Sequence, residues 1–288
     1  MTQVWHIGII NIVLAIYRLA KKEGIKEPKR RGRKGYNLAT KIAILAYVIL
    51  NNKSYDKALD DLKKSRLYLR FGAKRVPSKS SISRWKSSLE PYVRLLMRLA
   101  FLRLARGRSS LLCVVDGSGF KLGRASGHYL NRIRKKAPYL LVTMAYSPEI
   151  DGIFDLTASE SSNSELSAFW NYLFWQIVSA GIFWGLIADK RFDATWVIEW
   201  LESYGIVAFI PARGGKLEPK DGPRKRASER YALLKSIKHF RSLIESAYSS
   251  LKAFFNEIRS RLDKTREIDI VVLGLAYNVA RLVAKGEE

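Results

Sequence analysis

Two aspartates stand directly after runs of apolar residues, and their carboxylates are the first candidates for chemistry in this chain. Asp116 follows Leu-Leu-Cys-Val-Val, and Asp189 follows Phe-Trp-Gly-Leu-Ile-Ala. Both runs predict buried strands, and ligands of open α/β sheets bind in the crevice outside the carboxyl ends of the strands. If the two strands are parallel neighbours, both carboxylates project into one crevice, where they repel unless a cation neutralises them. Magnesium prefers oxygen ligands and keeps several waters, so two or three carboxylates suffice to hold it.

Each aspartate also has a simpler interpretation. An aspartate that follows a strand is commonly a turn former or a helix cap, and Asp116, with Gly117 after it, fits that description. The occurrence of two such strand ends favours the functional interpretation without eliminating the simpler one.

The third candidate is a glutamate with a cation on either side of it along a predicted helix. Arg241 precedes Glu245 by four residues, and Lys252 follows it by seven. At about 100° per residue, both cations lie within roughly 40° of Glu245, so the three side chains share one helix face. From spacing alone, a surface ion-pair stripe is the commoner arrangement. In the functional interpretation, Glu245 completes a metal site while Arg241 and Lys252 hold nearby phosphates.

The elements that position these residues predict an α/β domain with a mixed sheet flanked by helices. Buried strands are expected over residues 111–115, 139–146, 153–158, 183–188 and 207–210, and the second and third of them form a hairpin. Helices are expected over 164–181, 195–204, 231–262 and 268–285, with a loop over 213–226. The whole domain is predicted to span residues 109–288.

Residues 1–108 predict an all-α DNA-binding region. Helices are expected over 38–50, after Ser54, after the serines that precede Ile82, and over 92–104. The serine-capped helix carries Arg84 and Lys86 near its start, as a recognition helix does, although a capped helix in a plain bundle gives the same pattern. A basic tract over 21–34 is interpreted as a phosphate-contacting arm. Its cations include Arg30, Arg31, Arg33 and Lys34.

Composition names the partner class but no activity. The 288 residues carry a formal net charge of +25, and a chain this basic would repel itself unless it met a polyanion such as nucleic acid. The single cysteine, Cys113, and three scattered histidines argue against disulfides, zinc and cysteine–histidine catalysis. The apolar residues 4–19 are too short to span a bilayer and predict a buried amphipathic helix. We therefore expect a cytoplasmic, nucleoid-associated protein without a membrane partner.

Three stretches resemble the signature regions of DDE transposases from bacterial and archaeal insertion sequences. They are Val-Val-Asp116-Gly-Ser-Gly-Phe, Ala-Asp189-Lys-Arg-Phe-Asp and Arg241-x3-Glu245-x6-Lys252. Upstream, Gly-Arg33-Lys34-Gly-Tyr36 and Ser-Ser-Ile-Ser-Arg84-Trp85 are similar to the N-terminal DNA-binding region of that family, and Asn278 to its C-terminal helix. The family often has a tyrosine three residues before the arginine, where this chain has Lys238.

The resemblance implies a ribonuclease H-like catalytic domain with two Mg²⁺ ions, for which Mn²⁺ can substitute. In that arrangement Asp116 bridges both ions, Asp189 and Glu245 each hold one, and Arg241, Lys252 and Lys238 contact the transposon end. It also implies binding to terminal inverted repeats and target DNA as a homodimer or larger assembly. Paired metals suit the chemistry, because they activate the attacking group and stabilise the leaving oxygen of a phosphodiester.

The expected activity is Mg²⁺-dependent cleavage at transposon ends, followed by strand transfer of the 3′-hydroxyl into target DNA. Two alternatives stay open: a metal-dependent nuclease of the same fold, and a non-catalytic DNA-binding protein derived from a mobile element. Inverted repeats beside the gene, bounded by short direct repeats, would favour transposition.

Overall fold

The computed structural model describes residues 8–27, 35–123, 139–159, 165–214, 219, 221–234, 237–254, 258, 260 and 263–287. They belong to two compact units. The first unit takes its described residues from Met1–Leu104, Leu122–Ala137 and Leu251–Glu288, and the second from Ala105–Lys121 and Pro138–Ser250. The sequence predicts one boundary, after residue 108. The structure has its first boundary four residues earlier, and it assigns the C-terminal residues from Leu251 onward to the N-terminal unit.

Helices and strands are numbered in chain order. The helices are α1 (Ile9–Lys22), α2 (Leu38–Leu50), α3 (Tyr55–Lys64), α4 (Leu67–Arg70), α5 (Lys79–Ser88), α6 (Glu90–Ala105), α7 (Glu165–Ala168), α8 (Phe174–Ala180), α9 (Thr195–Ser203), α10 (Gly222–Leu233), α11 (Ile237–Phe254) and α12 (Asp263–Ala284). The strands are β1 (Leu111–Lys121), β2 (Tyr139–Ser147), β3 (Gly152–Ser159), β4 (Phe183–Ile187) and β5 (Val207–Phe209). A π-helical segment, Phe169–Leu173, joins α7 to α8, and a short 3₁₀ helix, Lys190–Phe192, follows β4.

The first unit is a helical assembly around α2. Every residue of α2 except Lys41 is buried, and the side chain of Asn37 caps the helix by accepting a hydrogen bond from Thr40 N at 2.8 Å. Helices α1 and α12 both pack against α2. A helix that is apolar on nearly all sides must be enclosed by others. Helix α12 meets this description, and its buried Asn278 donates to Met97 O at 3.1 Å. This packing explains why the C-terminal helix belongs to the N-terminal unit.

Lys86 lies inside this unit, which corrects its assignment as a DNA contact. Only 5% of the residue is exposed, and its ammonium group pairs with the buried Asp269 of α12. Its Nζ also donates to Ser260 Oγ at 2.5 Å. A buried charge needs such partners, so Lys86 connects α5 to α12 and does not present its charge to a phosphate. Arg84, on the same helix, is exposed.

The second unit contains a five-stranded mixed sheet with the order β3-β2-β1-β4-β5. Strand β2 is antiparallel to both of its neighbours, β1 and β3, whereas β1 pairs with β4 and β4 with β5 in parallel. Helices flank the sheet, so the predicted α/β class with a mixed sheet is confirmed. Cys113 is fully buried in β1, as expected of a structural thiol. Gly185 of β4 has a packing role, because a Cβ there would lie 2.9 Å from Leu112 Cδ1 and from Phe209 Cε2.

The helices that precede the C terminus differ from the sequence prediction. The single helix expected over 231–262 is two helices, since α10 ends at Leu233 and α11 begins at Ile237. Leu234 leaves the helix with φ −78° and ψ 91°. Helix α10 begins at Gly222, inside the loop expected over 213–226. Only Ala227 of α10 is buried, so the helix has no apolar stripe that its sequence could reveal.

Candidate carboxylate site

Asp116 lies within β1, not at its end as the sequence predicts. The parallel pairing of β1 with β4 stops at Val114, opposite Ile187, while the antiparallel pairing with β2 continues and places Asp116 opposite Met144. Asp116 therefore occupies the position where the parallel side of the strand becomes free. Its backbone is extended and paired, so the turn-former interpretation of this residue is wrong.

Asp189 follows β4 by two residues and caps the short 3₁₀ helix after it. Its Oδ1 accepts a hydrogen bond from Arg191 N at 2.7 Å, which is the capping role of the simpler interpretation. Its Oδ2 lies 3.9 Å from Arg191 Nε, and the side chain is 23% exposed. Capping fixes the direction of the carboxylate while one of its oxygens still has room for a further partner.

Asp116 and Asp189 line one small pocket together with Arg241 of α11. The strands that carry the two aspartates are parallel neighbours, as their shared crevice requires. The pocket measures about 10 Å³, close to the room that one water needs. Its walls are formed by Val114, Val115, Asp116, Ile187, Ala188, Asp189, Arg241 and Ile244. Two of the three predicted acids thus share a pocket with a predicted phosphate contact.

Glu245 lies one helical turn beyond Arg241 and is exposed. It does not line the pocket, but its charge acts on Asp116, since it contributes to raising the pKa of that residue. Within the described ranges, the Glu245 carboxylate forms no ion pair. The surface ion-pair stripe that spacing alone favours is therefore not what the described residues form.

Tyr248, on the same helix, joins α11 to the sheet. Only 3% of it is exposed, and its hydroxyl lies 2.6 Å from Asp116 O and 2.9 Å from Val142 O. Its ring also packs edge-on against Phe120 at 6.4 Å. The motif spacing of Arg241, Glu245 and Lys252 gives Tyr248 no role. In the structure it holds the helix that bears Arg241 and Glu245 against the backbone of Asp116.

The electrostatics of the pocket follow from burial and from these neighbours. Burial raises the pKa of Asp116, and the nearby Asp189 and Glu245 add to the rise, while the Gly117 N–H and the Arg241 guanidinium oppose it. Arg241 has a raised pKa, chiefly because of its hydrogen bond with Tyr231 of α10, and it also interacts with both aspartates. The acids therefore crowd a partly desolvated space in which one guanidinium supplies the opposing charge.

The donor set fits a hard divalent cation in its chemistry. Carboxylate oxygens are the ligands that Mg²⁺ prefers. The pKa of Asp116 is raised chiefly by burial and further by Asp189 and Glu245, and a cation beside these carboxylates would oppose the rise. Across the part of the chain that the structure describes, however, no group of three histidine, cysteine, aspartate or glutamate side chains is spaced to hold a metal. The two aspartates share the pocket, and Glu245 would have to turn toward it to join them.

The predicted DNA contacts are distributed over both units. Arg84 is exposed on α5, and Arg241 lies in the carboxylate pocket. Lys252 of α11 is half-buried, and this burial lowers its pKa. The side chain of Lys238 lies outside the described residues. So do Arg30, Arg31, Arg33 and Lys34 of the basic tract.

No protein-family model matches the chain, and no curated protein matches it either. The resemblance to DDE transposases therefore depends on the motifs around Asp116, Asp189 and Glu245. Among the described helices, none combines the length and the apolar character that crossing a bilayer requires.

Proposed function

We propose that this chain is a DNA transposase that cleaves at transposon ends and transfers the freed 3′-hydroxyl strand into target DNA. Asp116, Asp189 and Glu245 are its acidic residues, and Arg241 contacts the DNA phosphate beside them. The protein acts on double-stranded DNA, on which it forms a homodimer or larger assembly. This proposal keeps the ribonuclease H-like fold for the second unit, with which the mixed five-stranded sheet and its flanking helices are compatible.

One observation carries the proposal: Asp116 and Asp189, from neighbouring parallel strands, line one pocket with Arg241. The sequence separates the two aspartates by 73 positions, and each of them belongs to a different one of the three motifs. A helix cap and a strand residue with purely structural roles have no need to share a pocket with an arginine. Glu245, on the next turn of the arginine's helix, supplies the third carboxylate within electrostatic reach.

The side chains of this pocket have separate tasks. The guanidinium of Arg241 stays charged and has the planar donor geometry that matches phosphate oxygens. Its hydrogen bond with Tyr231 and its attraction to both aspartates orient it before DNA arrives. Tyr248 fixes α11 against β1 and β2, so the arginine and the acids keep their spacing. Such pre-positioning contributes to catalysis, because a misplaced group loses much of its effect.

Asp116 and Asp189 are the residues that would hold Mg²⁺, and Glu245 is the third candidate. When bound, Mg²⁺ polarises a phosphoryl oxygen and lowers the pKa of a bound water. A cation held beside Asp116 would also lower the pKa of its carboxyl, against the effect of burial. The apolar walls from Val114, Ile187 and Ile244 limit the water around these groups.

The first unit is proposed to bind DNA, in line with the net charge of +25 and the exposed Arg84 on the serine-capped α5. Buried Lys86 takes no part in this binding. Phosphate contacts of this kind weaken as salt rises, because each releases condensed counterions.

A strand-transfer assay tests the proposal. The substrate is double-stranded DNA that carries the terminal repeats flanking the gene, incubated with the full chain and Mg²⁺, then with Mn²⁺. We expect cleaved and joined products from the natural sequence, and neither from Asp116→Asn, which keeps its DNA affinity in a gel-shift assay. Glu229→Gln is the matched control, since it neutralises an acid of α10 whose side chain is 61% exposed and leaves the pocket untouched.

Three outcomes would contradict the proposal. Cleavage without joining would identify a nuclease, and undiminished cleavage by Asp116→Asn would remove this residue from the site. Specific DNA binding without cleavage in either metal would identify the non-catalytic binder. That second candidate is favoured by one observation, which is that the described acids do not form a three-ligand group.

A further inference from the structure

A cluster of aromatic rings covers one surface of the second unit. It is formed by the π-helical segment and α8 on one side and by α9 on the other. Neighbouring ring centroids lie between 4.6 Å and 6.5 Å apart, with Trp200 and Tyr204 stacked at an interplanar angle of 19°. Its members, hereafter the aromatic surface, are Trp170, Phe174, Trp175, Trp196, Trp200 and Tyr204.

Four of these rings are exposed to a degree that is unusual for their size. Trp175, Trp196, Trp200 and Tyr204 are 39%, 40%, 41% and 46% exposed. The last three are spaced four residues apart along and just beyond α9, so they form a stripe on one helix face. At about 40% exposure each large ring leaves roughly 100 Å² in water, so the four leave about 400 Å². Contiguous apolar surface of this extent is typical of an interaction site.

The charge around the aromatic surface distinguishes it from the rest of the chain. Residues 137–189 and 192–212 contain no lysine or arginine, although the protein has 51 of these residues. Helix α9 itself carries two acids, Glu199 and Glu202. A DNA backbone or an anionic lipid surface needs cations opposite its phosphates. The aromatic surface offers none from its own helices, so neither partner fits it.

We propose that the aromatic surface is the contact between two copies of this chain. Two molecules with a net charge of +25 repel each other over most approaches. They meet with least repulsion where the surface is apolar and its own helices carry no cation. A two-fold axis through the aromatic surface would bring the same rings from each copy together, since a two-fold interface joins one patch to itself.

Charged side chains lie on α9 and on the adjoining α10, next to the helices that carry the rings. Glu199 is exposed on α9, beside the stripe of rings. On the adjoining helix, Arg226 and Arg230 of α10 hold Glu202 at 2.9 Å and 2.6 Å, and their side chains remain 52% and 35% exposed. This arrangement gives an apolar centre with a charged rim, the usual anatomy of an interface.

The exposed area sets the strength of the contact. Two copies of the four rings bury about 800 Å² of aromatic surface, below the ~1,200 Å² at which stable interfaces begin. We therefore expect a weak dimer in free solution, with a dissociation constant of about 10–100 μM. The contact does not depend on the chemistry of Asp116 and Asp189, so its failure and that of the proposed function are separate results.

Sedimentation equilibrium of the nucleic-acid-free full chain tests the proposal. We expect reversible dimerisation at concentrations up to ~300 μM. The association should strengthen between ~0.1 M and ~0.5 M NaCl, because salt screens the repulsion between the two net charges. Assembly bridged by residual DNA would weaken over the same range.

Trp200→Lys places a cation at the centre of the aromatic surface and should raise the dissociation constant at least about tenfold. Leu69→Lys is the matched control, because it also places a cation on an exposed apolar residue. Leu69 is 53% exposed on α4 of the first unit, outside the aromatic surface. This substitution should leave the dissociation constant within about twofold. Glu199→Arg alters only an exposed rim residue, so it should weaken the dimer without affecting folding, which circular dichroism checks for all three variants.

A natural chain that stays monomeric at both salt concentrations would overturn the proposal. So would a folded Trp200→Lys chain that dimerises normally, or a Leu69→Lys chain that loses the dimer equally. Monomers that bind phosphatidylcholine vesicles through Trp200 would assign the aromatic surface to a lipid interface instead.

Discussion

Replacing Tyr248 by phenylalanine removes the hydroxyl that joins α11 to the backbone of β1 and β2. The hydroxyl lies within 2.9 Å of two backbone carbonyls, those of Asp116 and Val142, in a side chain that is 3% exposed. A buried hydrogen bond of this kind contributes a net of about 1 kcal/mol, and a carbonyl left without its partner adds to the loss. We expect Tyr248→Phe to lower the free energy of unfolding by roughly 1–2 kcal/mol. For a chain of this size, that lowers Tm by roughly 2–8 °C.

The same substitution should reduce DNA cleavage more than it reduces DNA binding. Without the hydroxyl, α11 loses its tie to β1, and Arg241 loses its fixed distance from Asp116. We expect cleavage under saturating DNA to fall about tenfold, with the affinity for DNA nearly unchanged. Thermal denaturation and the cleavage assay measure the two effects. Tyr139→Phe is the control, because Tyr139 begins the neighbouring strand β2 and is 42% exposed. Equal stability and equal cleavage in Tyr248→Phe and Tyr139→Phe would show that the Tyr248 hydroxyl does not position α11.

Two further substitutions test the packing around the site. Asp193 accepts two hydrogen bonds from Arg224; burial alone would raise its pKa, but these bonds and the Arg213 N–H outweigh burial and lower it. We expect Asp193→Asn to lower the free energy of unfolding by about 2–3 kcal/mol at pH 7. This loss should persist down to the pKa of an aspartate in the unfolded chain, ~3.9, and should shrink as the pH falls through the lower pKa of Asp193 in the folded protein. Urea unfolding across pH measures this, and a deficit that grows in acid would contradict it. Gly185→Ala should lower the free energy of unfolding by about 1–3 kcal/mol, because the added methyl group overpacks the side chains around β4. An unchanged urea unfolding curve would show that these side chains move aside freely.

The sequence predicts most of the sheet because its strands are short, apolar and separated by turn residues. It also predicts α2 well, since an unbroken apolar run after Asn37 leaves few alternatives. It fails for α10, whose single buried residue, Ala227, leaves no periodic signal. It also fails to predict that α12 belongs to the first unit. An apolar helix must be enclosed by other helices, but its sequence does not indicate which ones.

At the candidate site, motif spacing identifies Asp116, Asp189 and Arg241, which the structure brings to one pocket. Spacing does not reveal that β1 continues beyond Asp116, because Asp-Gly-Ser-Gly has the composition of a turn while its pairing with β2 is a tertiary effect. It also cannot distinguish Lys86 from Arg84. Both belong to one helix turn, and only the position of Asp269, far along the chain, makes one of them buried.

The most direct test of the carboxylate site is to measure Mn²⁺ binding to the full chain in the absence of DNA, by electron paramagnetic resonance or calorimetry. We predict saturable binding that Asp116→Asn and Asp189→Asn each weaken by about tenfold or more, while Glu229→Gln leaves it unchanged. The Mn²⁺ affinity should also fall as the pH is lowered, because protons compete with the cation for the Asp116 carboxylate, whose pKa is raised by burial. Equal Mn²⁺ affinity in the natural chain and in both aspartate variants would contradict the account.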